Sequence, residues 1–566
     1  MRLFPSLRLL SLLLILPGWL SAQQTFNTGL VEDDEAFARE VETLANFSND
    51  GQRAGDLPRR FSLRPFTPLP QDQGPINSCV GWAMGYGALT TQWAYQQGIT
   101  DKRKITDQAF SALYIYGSIR MGGCQGGASL RGAATFLENS GDCRSSVFDY
   151  PYHDCEREPS EELQQASLEN SIKGFAAIFN KDSRVREKFL KIKRSIAEGK
   201  PVVTGIDLRE SIKTLDRSNA LYAPQAEGDP ELDMSHAVCV IGYNDSLSLF
   251  EIMNSWGSDF GDGGYFYMSY RDFNEASTNG LQLVLAPQTL SADQRAVVAS
   301  GLEAAEAKVL ASKARYQEAV RRREAANQSN LSPAAEAETL AGQELTSALE
   351  ARDSIDLQLA DLAGNFKLRL AVTDEYGTPM TDEDGAYLWE NLDVKLNGSV
   401  YNVKKTDWYE GDQFQIIANN IKKDSYVYVF SLDGENKLEV HWPRNLRAEE
   451  NLKAFETVGR GTSALVTYTG AEIVIPYSDG VLTRENLEDD HQVILYSKYK
   501  IEDFRARLNR LRDDTEGDFT DRLRVAFGDL LAQPAEVTYA EDRIWARAAT
   551  LANAIAIPLI VRIANE

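Results

Sequence analysis

Gln73-Gly-Pro-Ile-Asn-Ser-Cys79-Val-Gly-Trp82 sets a cysteine six residues after a glutamine, where a turn-rich segment gives way to an apolar helical run. That position puts Cys79 at a helix N-terminus, where unpaired backbone N–H groups and the helix dipole favour a thiolate. Gln73 can fold back over the turn and offer its side-chain amide beside the sulfur. A nucleophile next to a donor for developing negative charge is what acyl transfer requires.

The rest of the chain sets limits on that reading. Its 566 residues exceed what one core organises, so two to four domains are expected. Apolar residues make up 43%, enough for packed domains, and the net charge of −24 argues against nucleic acid or an anionic membrane as partner. Arg2 and Arg8 precede the apolar run Leu9 to Leu20, and Leu20-Ser-Ala22 is a small-residue cleavage site. Residues 1–22 therefore read as an export signal, with no membrane anchor expected elsewhere and a periplasmic or extracellular location for the remainder. All five cysteines lie between positions 79 and 239, and an odd count leaves at least one free thiol.

Residues 23–56 are polar and acidic with one helix expected over Glu35 to Phe47, and read as a linker or a short pro-segment. The helix opened by Cys79 is expected to run to about Gln97 and stop at Gly98. It carries Gly81, Gly85 and Gly87, each costing about 1 kcal/mol against alanine, which makes sense only for a buried helix that other segments approach closely. Helices are expected over Ser111 to Ile119, Ser129 to Asn139 and Arg184 to Glu198. Short strands follow at Pro201 to Ile206, His236 to Tyr243, Leu249 to Asn254 and Gly264 to Ser269.

His236 opens an apolar strand, and Asn254 stands on the next one; adjacent strands bring the two side by side. With Gln73-to-Cys79, Gly123-Cys-Gln-Gly-Gly127, Tyr150-Pro-Tyr152, Gly242-Tyr243 and Asn254-Ser-Trp-Gly257, this ordered set resembles the papain-like cysteine peptidase family over about Leu57 to Ala286. The resemblance implies an α+β fold of two lobes, one helical and carrying Cys79, one β-rich and carrying His236 and Asn254, with a peptide-binding cleft between them. It implies Cys79 as nucleophile, His236 as general base and acid, Asn254 as the group orienting the imidazole, and Gln73 with the Cys79 N–H as oxyanion donors. Substrate contacts are expected from Gly126, Gly127, Met234, Ser235 and Trp256, the last covering the His–Asn contact. No cofactor and no metal are implied.

The sequence also departs from the family. Val80 and Ile76 replace the usual tryptophan and cysteine around the nucleophile, so Cys124 loses its expected disulfide partner, and Ala128 replaces the usual aromatic after the glycine motif. A Cys143–Cys155 disulfide is preferred to Cys124–Cys155, and Cys239 reads as core. The family's long inhibitory pro-region has no room before Leu57.

Beyond residues 57–288, Ser291-Ala-Asp-Gln294 fits a capping box. Two apolar stripes at four-and-three spacing, broken around Pro333, make 289–364 an antiparallel, coiled-coil-like α-helical hairpin, read as a spacer or a protein-docking element. Residues 365–566 are mainly β, and Tyr409-to-Phe414, Tyr426-to-Asn436 and His441-Trp-Pro443 resemble a bacterial β-rich domain of unassigned function. His441, Asp489, Asp490 and His491 match no metal-site spacing. The leading expectation is an exported cysteine endopeptidase acting on polypeptide through a Cys79 thioester. The alternatives are a catalytically idle binding or scaffold protein and an acyl transferase.

Overall fold

The computed structural model describes residues 26–44, 57–150, 154–224, 228–232, 235–286, 291–326, 330–383, 385–443, 462–467, 472–476 and 480–565. The export signal of residues 1–22 lies outside them, as do Met234 and the stretch 45–56.

The helix opened by Cys79 (α2, residues 79–97) forms as expected and ends at Gly98, which takes the left-handed conformation at φ 65°. Its middle, Trp82–Leu89, is π-helical and wholly buried. The glycines explain how it fits. A Cβ on Gly81 would lie 2.2 Å from the carbonyl oxygen of Ala112, on the helix Ala112–Ile119 (α3). Next comes Leu130–Ser140 (α4), capped by the Ser129 hydroxyl. These helices form the first lobe.

The second lobe is built on an eight-stranded sheet of Arg60–Ser62 (β1), Gly174–Phe179 (β2), Val202–Ile206 (β3), Leu221–Tyr222 (β4), His236–Asn244 (β5), Leu249–Met253 (β6), Tyr265–Ser269 (β7) and Ser277–Val284 (β8). Its order is β2-β8-β3-β5-β6-β7-β4, with β1 on β5. The antiparallel β5–β6 register, Cys239 opposite Met253, brings the start of β5 beside the residue following β6.

The disulfide expectation is corrected. Cys124 pairs with Cys155 across a Cα–Cα distance of 5.6 Å, and Cys143 is a buried free thiol. The glycine loop folds on itself, Gly126 N–H to Gly123 O at 2.7 Å, and the Tyr116 hydroxyl holds Cys124 O at 2.8 Å, which aims Cys124 at Cys155. Cys143 is pinned elsewhere: its carbonyl accepts the Ser111 N–H and its own N–H donates to Asp142 Oδ1.

Further along, Ala292–Glu324 (α5) and Leu331–Leu359 (α6) form the helical hairpin, and Ser291 and Gln294 complete the capping box. The region after it is mostly β, with two seven-stranded sheets among the described residues and the helices Phe504–Asp513 and Phe519–Phe527 packed beside them. Asp489 pairs with Arg562, and His491 stacks on Phe519.

The N-terminal helix is shorter than expected: Asp34–Glu40 (α1) rather than 35–47. Val41 turns extended because residues 42–44 pair with β2, Ala177 N–H to Glu42 O at 2.8 Å and Leu44 N–H to Ala177 O at 3.0 Å. On its other side this strand takes the Ser463 N–H at Thr43 O, 2.8 Å, so it joins the eight-stranded sheet to the C-terminal β region. A buried ion pair, Lys200 Nζ to Asp424 Oδ1 at 2.5 Å, lies on the same seam. Removing one partner would leave an uncompensated buried charge.

Gly81→Ala should destabilise the protein by about 1–3 kcal/mol, since α2 or α3 must move. Gly123→Ala, where a Cβ meets nothing within 4 Å, should fall within about 0.5 kcal/mol of the parent. Chemical denaturation of the two variants measures the difference.

Candidate active site

Cys79 is the first residue of α2, fully buried, with its Sγ 3.5 Å from the Ala237 backbone N–H. His236 precedes Ala237 at the start of β5, so the strand that supplies this N–H also carries the imidazole. His236 Nε2 lies 2.7 Å from Asn254 Oδ1, which also accepts the Ser255 N–H at 2.9 Å. Nδ1, the other ring nitrogen, has no hydrogen-bond partner among the described residues. Trp256 stacks on the imidazole with centroids 4.6 Å apart at 25°. This is an imidazole oriented through one nitrogen and shielded on a face, with the second nitrogen left for proton transfer.

Gln73 is also fully buried. Its Oε1 accepts the Ser255 hydroxyl at 2.6 Å, and its Nε2 donates to Ile76 O at 3.0 Å. Ser255 thereby fixes which end of the amide faces the cleft. Sequence reading missed this residue although it follows Asn254 directly. Gln73, Cys79, His236 and Asn254, from four separate segments, are brought together.

The cleft between the lobes is filled by the chain's own residues 26–31. The Trp256 indole N–H donates to Asn27 O at 2.8 Å, and Gln73 Nε2 reaches Thr28 O at 3.5 Å. Leu30 N–H donates to Ser235 O at 3.0 Å, Ala128 N–H to Gly29 O at 3.0 Å, and Val31 N–H to Ala128 O at 2.9 Å. This segment therefore pairs with Ser235 and Ala128, while the neighbouring Gly127 O accepts the Met121 N–H and Gly126 O the Tyr116 hydroxyl. Gly29 has φ +134°, and a Cβ there would sit 2.4 Å from Asn77 O, so the segment passes the Cys79 turn only as glycine.

With this segment in place Cys79 and His236 are both fully buried, and burial controls both titrations. It pushes the Cys79 thiol up to about 12, against the N–H groups of Ala237, Val80, Cys79 and Leu30, which act the other way. Burial also depresses His236 to about 4, against the opposing Asn254 contact. Thiol and imidazole are therefore both neutral at pH 7 in this closed form.

Residues 60–282 match the family model of papain family cysteine proteases. An uncharacterised peptidase C1-like protein of Acanthamoeba polyphaga mimivirus is 29% identical over 221 residues, 37% of this chain and 69% of that protein. Cathepsin S of Bos taurus is 27% identical over 210 residues, 36% of this chain. The chain spans only 56% of the length of that cathepsin. Among solved structures, xylellain, a cysteine protease from Xylella fastidiosa, aligns with 46% of this chain and 100% of its own at TM-score 0.36 and 20% identity. The papain-like region is thus one part of an α+β chain whose remainder is helical hairpin and mostly-β structure.

The depressed His236 predicts a pH effect with a definite sign. An opened cleft restores the imidazole toward 6.5, so between about 4 and 6.5 the open form binds more protons and acid favours opening. Closure is fully favoured above 6.5 and lost as pH falls toward 4. Hydrogen exchange at the Leu30 and Val31 amides, corrected for intrinsic rate, should lose on the order of tenfold protection between pH 7 and pH 5. His236→Gln, which does not titrate, should abolish that difference.

Proposed function

We propose that the papain-like region is a cysteine peptidase that hydrolyses polypeptides, acts as an endopeptidase outside the cytoplasm, and is held latent by residues 26–31. The observation that carries the reading is the His236 Nε2–Asn254 Oδ1 contact at 2.7 Å under the Trp256 ring, with Cys79 at a helix start against the next residue of the same strand.

In the opened site the thiol transfers its proton to His236 Nδ1, and the thiolate attacks the scissile carbonyl carbon. The oxyanion takes hydrogen bonds from Gln73 Nε2 and the Cys79 backbone N–H. His236 returns the proton to the amide nitrogen, the C–N bond breaks, and the amine departs, leaving a thioester on Cys79. Water, deprotonated by His236, then attacks the thioester, releasing the carboxylic acid and the thiol. Asn254 accepts the imidazole N–H without adding a charge that would trap the imidazolium.

Endopeptidase action is supported by the occupying segment itself. It runs through the cleft from Trp256 past Ala128 and Ser235 and continues into α1, so a peptide can extend beyond the site on both sides. The export-type sequence of residues 1–22 supports the location.

The test uses the full chain, Gly29→Val, and Cys79→Ala, each with a thiol-directed epoxide and a fluorogenic peptide panel. Gly29→Val forces a Cβ against Asn77 and should label at Cys79 and cleave at least about tenfold faster than the parent. Cys79→Ala should do neither. If neither parent nor Gly29→Val cleaves faster than Cys79→Ala, the peptidase reading fails; equal rates in parent and Gly29→Val sink only the latency. In the Gly29→Val background, Gln73→Ala should cost about 10²–10³ in kcat, as expected for an oxyanion donor.

A further inference from the structure

Two cations flank the exit of the cleft, one from each lobe, and both are committed to the occupying segment. Arg131 is on α4, three residues after Ala128; Lys181 follows β2. Lys181 Nζ meets Glu32 Oε2 at 3.1 Å and Asp34 Oδ2 at 3.0 Å. Arg131 meets Asp33 Oδ2 through Nε at 3.1 Å and Glu40 Oε2 through Nη1 at 2.6 Å. Among the described residues, every ion pair of these two side chains goes to residues 32–40. Once residues 26–40 leave, a chain of net charge −24 presents two uncompensated cations beside its cleft.

Resting on the peptidase reading above, we infer that Arg131 and Lys181 form a recognition site for acidic residues of the substrate, on the N-terminal side of the scissile bond. The side follows from the chemistry. His236 protonates the departing amine, so the amine half of the substrate lies toward His236 and the overlying Trp256. The acyl half extends the other way, across Ala128 and Ser235, toward Arg131 and Lys181. Leu30 marks the step between the two regions. It is buried, and a Cβ on Gly205 would lie 2.4 Å from its Cδ2, so an apolar side chain seats there before the cations are reached.

Competing charges are few and identifiable. Asp207 Oδ1 holds the Ser235 hydroxyl at 2.6 Å, and that hydroxyl also lies 3.1 Å from Glu32 Oε1. An acidic side chain is accommodated there because Lys181 stands on its other side. Both cations are partly exposed, with side-chain accessibilities of 28% for Arg131 and 46% for Lys181. Such pairs select by severalfold rather than by orders of magnitude, and salt weakens them.

The experiment needs the competing carboxylates removed in cis. The full chain carrying Gly29→Val, Glu32→Gln, Asp33→Asn, Asp34→Asn and Glu40→Gln would be given two fluorogenic peptides. Both place leucine next to the scissile residue and differ only in carrying three aspartates or three lysines further toward the N-terminus. The ratio of kcat/KM should favour the aspartate peptide by about tenfold at low salt and shrink in 0.5 M salt, as for screened pairs. Adding Arg131→Glu and Lys181→Glu should invert the ratio, which is independent of the folded fraction. A Cys79→Ala form of each protein, read by fluorescence anisotropy, should show the same order of binding. Cleavage without aspartate preference, or a preference that survives the charge reversal, overturns the recognition site. Selective binding without cleavage in the Cys79-containing protein overturns the peptidase reading and leaves the site standing.

Discussion

The structure turns on the meeting of two backbones: the first turn of α2, which carries Cys79, and the start of β5, which carries His236. The Ala237 N–H directed at the sulfur joins them, and neither segment can shift without breaking that contact. The surrounding construction enforces it. Glycines let α3 press against α2 at distances that exclude a Cβ, the β5–β6 register sets Asn254 against the imidazole, and Ser255 locks the Gln73 amide. Interiors packed to this density do not deform gradually, which suits a site that must hold groups to fractions of an ångström.

Burial has opposite meanings for the two states of such a site. With residues 26–31 in place the pair is dry, and neutral thiol and imidazole are its stable form. Admitting water and substrate removes the desolvation term that holds both groups neutral. On the proposed reading, the same residues make an inert core or a reactive couple according to whether one short segment lies over them.

The parts of this arrangement that were legible in the sequence are those where chemistry dictates residue type. Cys79, His236, Asn254 and Gln73 cannot be exchanged for near equivalents in the chemistry proposed, so type and order alone pointed to them, and the fold brings the four together. The close-packed helix was legible for a related reason: Gly81 and Gly87 make no sense on a surface. The occupying segment was not, because Leu30 and Val31 are held largely through backbone N–H and C=O groups that every sequence carries. The disulfide was misjudged because nearness along the chain favoured Cys143, whereas the folded-back glycine loop decides for Cys124. The π-helical turn of Trp82–Leu89 likewise reflects packing on all sides and leaves no local signature.

The strand at residues 42–44 has a consequence for how the cleft can be emptied. It is built into both the eight-stranded sheet and the C-terminal β region, so residues 26–31 that swing out stay leashed to an anchor about a dozen residues further along the chain. A ligand on so short a leash has an effective concentration in the range of about 1 mM or more. Any free peptide entering the cleft must outcompete it, so a weak substrate would meet a shut door and a tight or abundant one an open door. Selectivity in this chain would then come as much from the strength of the internal competitor as from the walls of the cleft.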